Sequence, residues 1–203
     1  LSVHAGRIAE GKAFARALID AFEDVEVVVV NSSGCGSHLK ELGWLLGDER
    51  AAAFSSRVRD VGELLAETIP RAPRHPLPLR VALQDSCHLR HAQRLPLSSI
   101  RSLARIPALE VVEPAEQDLC CGSAGIYNVV QADAARELGD RKAENVLATG
   151  GQVYASANPG CLVQVSQALR RAGQPLPALH PIELIDASIR GAPAGMLRAR
   201  ARR

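Results

Sequence analysis

The sequence predicts an α/β fold made of two related repeats, with mostly parallel sheets and with cysteines at the carboxyl ends of strands. Three observations lead to this prediction. Short apolar runs alternate with longer amphipathic segments, a pattern typical of parallel α/β sheets. Cys35, Cys87 and Cys161 each follow a predicted strand. The order helix, strand, turn containing glycine and cysteine, and helix occurs twice, which indicates a duplicated unit.

The first half of the chain has the pattern of α/β structure. Apolar residues recur at helical spacing over 7–22, and 25–30 is predicted to be a buried strand. A turn at 31–36 precedes a helix that continues to residue 46, and a further helix is expected over 58–68. Residues 70–78 contain four prolines, which prevent regular structure, so we interpret this segment as a linker.

The second half begins directly after this linker. Its predicted elements are, in order, strand 79–83, helix 98–105, strand 109–112, helix 131–148, strand 152–155 and helix 162–172. The halves align with an offset of 126 residues between Cys35 and Cys161, and of 120 residues between Glu63 and Glu183. We expect the two glutamates to cap or pack helices, because nothing near them in sequence suggests acid–base chemistry.

The alignment of the halves defines the predicted domains. Residues 1–69 form the C-terminal part of a first repeat, 70–78 the linker, 79–190 a complete second repeat, and 191–203 a disordered basic tail. By the same alignment, the double cysteine expected in the first repeat would fall before Leu1. The first repeat is therefore expected to be incomplete in this sequence.

Composition narrows the class of protein. Hydrophobic residues make up 47% of the chain, enough for a packed core, and no apolar run reaches the length of a transmembrane helix. Five cysteines without a secretory signal pattern indicate a reducing, cytoplasmic environment and thiols that bind or react. The net charge of +2 depends on four arginines in the last seven residues. With six aromatic residues and no basic stripe, the sequence does not favour nucleic-acid binding.

The cysteine pattern is the strongest chemical signal in the sequence. Cys120 and Cys121 are adjacent and precede Gly122, while Cys87 lies 33 residues before this pair and Cys161 lies 40 residues after it. Thiolates gathered from distant segments commonly hold iron–sulfur clusters. Zinc is the alternative metal, although close Cys-x-x-Cys hairpins, which zinc sites usually contain, are missing here.

Three motifs resemble a known family. Asp85-Ser86-Cys87-His88-Leu89, Cys120-Cys121-Gly122-Ser123-Ala124-Gly125 and Asn158-Pro159-Gly160-Cys161 are similar to the cysteine-rich CCG domain. This domain occurs in the iron–sulfur subunits of glycolate oxidase, lactate-utilisation and anaerobic glycerol-3-phosphate dehydrogenase systems, and in the B subunit of heterodisulfide reductase. The turn at 31–36 resembles the corresponding turn of the glycolate oxidase subunit most closely.

The resemblance implies an electron-transfer subunit rather than a substrate-binding one. Its metal ligands would be Cys87, Cys120, Cys121 and Cys161, with no catalytic residue in the chain, and Gly122 would belong to the cofactor-binding site. The cofactor would be a [4Fe–4S] cluster, either cubane or noncubane. The expected partners are FAD-binding subunits of a 2-hydroxyacid oxidase and a quinone or other membrane acceptor. Such a subunit would be cytoplasmic, or peripheral on the inner face of the membrane.

Two further residues are implied by the same resemblance. Cys35 would be a ligand of the incomplete first site, although a buried free cysteine is the simpler alternative. Gln164 stands where related repeats have a fifth cysteine, and we expect its amide to donate a hydrogen bond to a cluster sulfide. His88 and His91 are expected near the site or at the surface, and not as ligands. The competing hypothesis is a non-redox assembly module stabilised by zinc or thiols.

Overall fold

The computed structural model describes residues 1–199. The helices are α1 (Ile8–Ala21), α2 (Ser33–Lys40), α3 (Leu42–Leu46), α4 (Glu49–Ser56), α5 (Val61–Glu67), a π-helix (His88–Ala92), α6 (Ser98–Leu103), α7 (Tyr127–Val130), α8 (Ala132–Ala148), α9 (Pro159–Arg171), α10 (Pro181–Ile189) and α11 (Ala194–Arg198). The strands are β1 (Val28–Val30), β2 (Val58–Asp60), β3 (Leu79–Gln84), β4 (Leu109–Val112), β5 (Val153–Ser156) and β6 (Ala178–Leu179). None of the helices within 1–199 is long and apolar enough to span a membrane.

The strands form two parallel sheets, which confirms the predicted α/β class. The larger sheet has the order β4-β3-β5-β6, and every pair in it is parallel. β3 and β5 are its central strands, with Val81 paired to Val153 and Gln84 paired to Ser156. Both strands are almost entirely buried, as expected when helices cover both faces of a parallel sheet. The carboxyl ends of β3 and β5 therefore lie side by side.

The smaller sheet contains only β1 and β2, with Val28 paired to Val58. The sequence-based prediction of one helix over 58–68 is wrong for its first three residues, which form β2. The helix begins only at Val61 because the side chain of Asp60 caps it and accepts a hydrogen bond from Gly62 N at 2.8 Å. With only three residues, segment 58–60 is too short to show the alternation of apolar and polar residues by which a strand is recognised in sequence.

Two helices, one in each half of the chain, begin in the same way. In α5, Asp60 and Glu63 form a capping box, and in α10 His180 and Glu183 form another. Glu63 accepts from the backbone of Asp60 at 3.1 Å, and Glu183 accepts from the backbone of His180 at 2.8 Å. The prediction that these two glutamates cap helices is confirmed.

The predicted linker is ordered by contacts with α10. Residues 70–78 contain no helix or strand, as expected from the prolines. His75 N nevertheless donates to the Ser188 carbonyl at 3.0 Å, and Leu77 is fully buried in the core of the larger sheet. The segment thus packs along the second half instead of spanning open space.

The C-terminal prediction requires a correction. Residues 191–203 were expected to be disordered, but 194–198 form α11, and Leu197 is only 2% exposed within the main core. The apolar residues Ala194 and Leu197, three positions apart, face the core and fix the helix, and this pattern outweighs the basic charge nearby. The last four residues of the predicted tail lie outside the described part of the chain.

Candidate metal centre

The four cysteines of the second half lie at the carboxyl ends of β3 and β5. Cys87 follows β3 and begins the π-helix, and Cys161 lies in the first turn of α9, just after β5. Cys120 and Cys121 lie in the loop between β4 and α7. Because the central strands are neighbours and parallel, the segments that follow them meet at one edge of the sheet. This edge is where open α/β sheets commonly bind ligands.

The sulfur atoms form two close pairs. Cys121 Sγ lies 3.1 Å from Cys161 Sγ, and Cys87 Sγ lies 3.9 Å from Cys120 Sγ. Cys121 and Cys161 are each 2% exposed, whereas Cys87 and Cys120 are half-buried. The centre therefore has a buried side and a side that approaches the surface.

Contacts between the sulfurs shift the pKa values of the four thiols in opposite directions. The contacts of Cys120 with Cys121 and Cys87 lower the pKa of Cys120. The hydrogen bond that Cys121 Sγ donates to Cys161 Sγ lowers the pKa of Cys161, against the effect of burial. The pKa values of Cys87 and Cys121 rise because each of these thiols donates to a neighbouring sulfur. The downward shifts favour ligation through Cys120 and Cys161, since the thiolate is the form that binds metal.

The donor set fits an iron–sulfur group in its chemistry. Four soft thiolate donors suit zinc or an iron–sulfur cluster, and no carboxylate belongs to the set. Within residues 1–199, no group of three or more His, Cys, Asp or Glu side chains has the arrangement needed to hold a metal ion. The sulfurs are in contact as two pairs, Cys87 with Cys120 and Cys121 with Cys161, and metal ligation would replace these contacts.

Gly122 permits the close approach of the double cysteine to α8. Its φ is +86°, in the left-handed region, and a Cβ built on it would lie 2.7 Å from the Ala135 carbonyl oxygen. Its backbone N–H also donates to Cys120 Sγ at 3.3 Å. The glycine is therefore required for the turn, for packing and for a hydrogen bond to sulfur.

Asn158 connects the centre with the first half of the chain. Its Nδ2 donates to Cys161 Sγ at 3.3 Å, and its Oδ1 accepts from Gly34 N, also at 3.3 Å. The sequence analysis placed Asn158 in a motif but did not assign it this role. The only available signal was the matching Asn31 before the first turn, which indicates a turn residue and not a sulfur contact.

Gln164 does not occupy the place expected for it. Its Nε2 donates to the Ala135 carbonyl at 2.7 Å, and its side chain packs against Gly139 of α8. The amide therefore links α9 to α8, and the expectation that it donates to a cluster sulfide is not met by this geometry. The physical reason is the close approach of α8 at Gly139, which places a helix carbonyl within reach.

Cys35 lies apart from the four paired cysteines. It is exposed and lines a cavity of about 450 Å³ together with His38 and His88, between the two halves. Its exposure rules out the alternative of a buried hydrophobic role, and the expected role of Cys35 as a ligand remains a proposal.

The two histidines near Cys87 have different surroundings. Cys87 is the N-cap of the π-helix and His88 is its first residue, and His88 Nδ1 lies 3.7 Å from Cys87 Sγ. His91 is largely exposed and faces Asp118 at 3.8 Å, in agreement with a surface position.

Lys142 is a second residue that the sequence analysis missed. It lies on α8 and is 1% exposed, and its Nζ donates to the backbone carbonyl of Glu116. Its neighbour Ala143 packs in the same buried cluster as Cys121 and Cys161. Nothing in the local sequence separates Lys142 from the exposed charged residues around it, because α8 is rich in charge on its outer face.

Comparison with known proteins identifies a matching family and several similar proteins. The family described as "Cysteine-rich domain" (CCG) matches residues 81–166. The chain is 39% identical over 179 residues to the probable glycolate oxidase iron-sulfur subunit of Bacillus subtilis, covering 84% of the chain and 40% of that protein. It is 30% identical over 192 residues to the glycolate oxidase iron-sulfur subunit of Escherichia coli, covering 89% of the chain and 45% of that protein.

More distant relatives extend the same group. The B subunit of fumarate reductase (CoM/CoB) from Methanothermobacter marburgensis is 29% identical over 167 residues, which cover 82% of the chain and 33% of that protein. The chain thus spans less than half the length of these curated relatives. The family match covers the segment that contains Cys87, Cys120, Cys121 and Cys161. Residues 81–166 are a cysteine-rich domain of the CCG family, and over most of its length the chain is similar to glycolate oxidase iron-sulfur subunits.

Proposed function

We propose that this chain is part of the iron–sulfur subunit of a 2-hydroxyacid oxidase, with glycolate as the favoured substrate of the complex. The observation that carries the proposal is the convergence of Cys87, Cys120, Cys121 and Cys161 at the ends of two neighbouring strands. These four thiols would hold one [4Fe–4S] cluster. The names of the relatives support the assignment to hydroxyacid oxidation.

The residues of the chain are suited to hold a redox group and to protect it. A bound cluster would accept and release single electrons. Apolar residues around Cys121 and Cys161, including Val165 and Leu169, exclude water from the buried side. N–H groups of Gly122 and Asn158 point at sulfurs and would favour the reduced, more negative state. Because the relatives are named as iron-sulfur subunits, we infer that oxidation of the hydroxyacid takes place in another subunit.

The path of the electrons follows from the separation of substrate oxidation and electron transfer between subunits. We infer that FAD-binding subunits oxidise the hydroxyacid and deliver electrons to this chain. The half-buried side of the centre, at Cys87 and Cys120, offers the shorter path to the surface. The final acceptor would be a quinone or another membrane acceptor, reached by a cytoplasmic subunit that associates peripherally with the inner face of the membrane. Cys35 would serve a further site completed by residues outside this sequence.

Serine substitution tests the ligand assignment. Cys87→Ser, Cys120→Ser, Cys121→Ser and Cys161→Ser should each remove most of the iron after anaerobic reconstitution, because an alkoxide is a poor substitute for a thiolate. Cys35→Ser is the matched control and should keep the iron of the unmodified chain. Unchanged iron in all four variants would refute the assignment. Bound zinc without iron or visible absorption would instead support the non-redox assembly module.

A further inference from the structure

Lys142 is a buried cation without a carboxylate partner. It is 1% exposed, and among residues 1–199 no Asp or Glu side chain lies within salt-bridge distance of its Nζ. Its one hydrogen bond goes to a neutral group, the Glu116 carbonyl. A buried ammonium is costly unless an opposite charge compensates it. The position therefore calls for a nearby negative charge.

The cysteine centre supplies that charge together with the nearby Glu116 carboxylate. The buried face of α8 contacts both cysteine-bearing segments: Ala135 touches Gly122, and Ala143 packs with Cys121 and Cys161. Lys142 lies on this face, next to Ala143. Burial lowers the pKa of Lys142. The charge that Cys121 carries once it is deprotonated for metal ligation opposes this effect most, followed by the Glu116 carboxylate and then by Cys161 and Cys120. The lysine and the sulfurs thus act on each other within the protein interior, where charge interactions are weakly screened.

We propose that Lys142 is the buried countercharge of the cysteine centre, a positioning residue that stabilises the thiolates and raises the reduction potential of the cluster they hold. This inference rests on the proposed function, since it concerns the same four cysteines. Reduction adds one negative charge to a centre that is already negative. A fixed cation close by favours the reduced state more than the oxidised state. Removal of the cation should therefore make the cluster harder to reduce.

A purely structural role for Lys142 must be separated from this one. The loop before the double cysteine is also fixed through the carboxylate of Glu116, which receives hydrogen bonds from Arg141 and Asn145. Lys142 could contribute only by holding the same loop through the Glu116 carbonyl. Arg141 provides a matched control, because it contacts the same residue from the same helix but is 58% exposed at its side chain. Because water screens the charge of Arg141, replacing this residue should disturb the loop but leave the reduction potential of the cluster unchanged.

The experiment compares Lys142→Met and Arg141→Met in the full chain, reconstituted with iron and sulfide without oxygen. Potentiometric titration followed by electron paramagnetic resonance gives the midpoint potential of each. We expect Lys142→Met to reduce the equilibrium constant for one-electron reduction by at least a factor of about ten, equivalent to about 59 mV. Arg141→Met should leave the potential unchanged. Equal potentials in Lys142→Met and the unmodified chain would overturn the proposal.

Thermal unfolding provides a readout that does not depend on redox chemistry. If Lys142 compensates the thiolates, the gain in midpoint temperature on metal loading should be smaller in Lys142→Met than in the unmodified chain and in Arg141→Met. A structural role predicts instead that Lys142→Met lowers the metal-free and loaded midpoints equally, and that result would overturn the proposal.

The same comparison separates the proposed function from the proposed role of Lys142. If the chain binds zinc but no iron, the proposed function fails. A smaller rise in midpoint temperature on zinc loading in Lys142→Met than in the unmodified chain would still support Lys142 as the countercharge, and an equal rise would refute that role. If neither metal binds, both proposals are refuted.

Discussion

Replacing Gly122 by alanine tests whether the double cysteine depends on a close contact with α8. The change adds a Cβ at a residue with φ +86°, a conformation that costs a non-glycine residue about 1–2 kcal/mol. The new Cβ would also lie 2.7 Å from the oxygen and 2.9 Å from the Cα of Ala135. These are backbone atoms of a helix and cannot rotate away, so the loop or α8 must move.

The structure allows an estimate of the effect. Overpacking a buried site costs about 1–3 kcal/mol, and added to the backbone strain it gives a loss of roughly 2–5 kcal/mol in the free energy of unfolding. In a protein of this size, 1 kcal/mol corresponds to about 2–4 °C in the midpoint of thermal unfolding. The midpoint should therefore fall by roughly 4–20 °C. Displacement of Cys120 and Cys121 should also reduce the iron bound after reconstitution.

Gly173 supplies the control for this experiment. Its φ is +71°, but a Cβ built on it meets no atom within 4 Å. Gly173→Ala therefore carries the backbone strain alone, about 1–2 kcal/mol, and should leave iron binding unchanged. Thermal unfolding of both variants without metal, followed by iron assay after reconstitution, completes the comparison. The reasoning fails if Gly122→Ala is no more destabilising than Gly173→Ala and binds as much iron.

Three further predictions follow from buried or exposed groups. Tyr154→Phe removes a hydroxyl that donates to Gln84 Oε1 at 2.7 Å in the core, and denaturant unfolding should show a loss of about 1–3 kcal/mol; a loss below about 0.5 kcal/mol would contradict this. Burial raises the pKa of Asp60 above its ordinary 3.8, so its contribution to stability is present below that pH and is lost as pH rises through the raised value. As pH rises through this range, the unmodified chain should therefore lose stability that the Asp60→Asn variant keeps. A difference in the free energy of unfolding between the two proteins that does not change with pH would contradict this prediction. Cys35 is the exposed thiol, so brief alkylation followed by mass spectrometry should label it first; preferential labelling of Cys121 or Cys161 would show the burial to be wrong.

Features encoded by local periodicity were predictable from the sequence. The strand over 109–112 has the predicted limits, and the helices α1 and α8 begin and end within one residue of prediction. Alternating strands and helices indicated parallel sheets, and this topology places residues that follow neighbouring strands at one edge. The position of Cys87 and Cys161 just after the carboxyl ends of strands could therefore be anticipated from the sequence.

Features that depend on contacts between distant segments were not predictable. Gln164 was assigned from its spacing after Cys161, which gives its helix face but not which neighbouring helix meets that face. Lys142 was missed because burial of a lysine depends on what covers it, and its sequence neighbours are charged and exposed. The strand β2 was missed because three residues provide no period, and only pairing with β1 defines them as a strand. In each case tertiary contacts decide between local structures of similar propensity.

The central claim is that the four cysteines at the ends of β3 and β5 hold an iron–sulfur cluster. Its most direct test is the iron, acid-labile sulfide and zinc content of the chain after purification and reconstitution without oxygen. The account predicts about four iron and about four sulfide per chain, with little zinc and a brown colour. Cys161→Ser, which removes one buried thiol of the closer sulfur pair, should abolish this content. One zinc per chain without iron or sulfide would contradict the account.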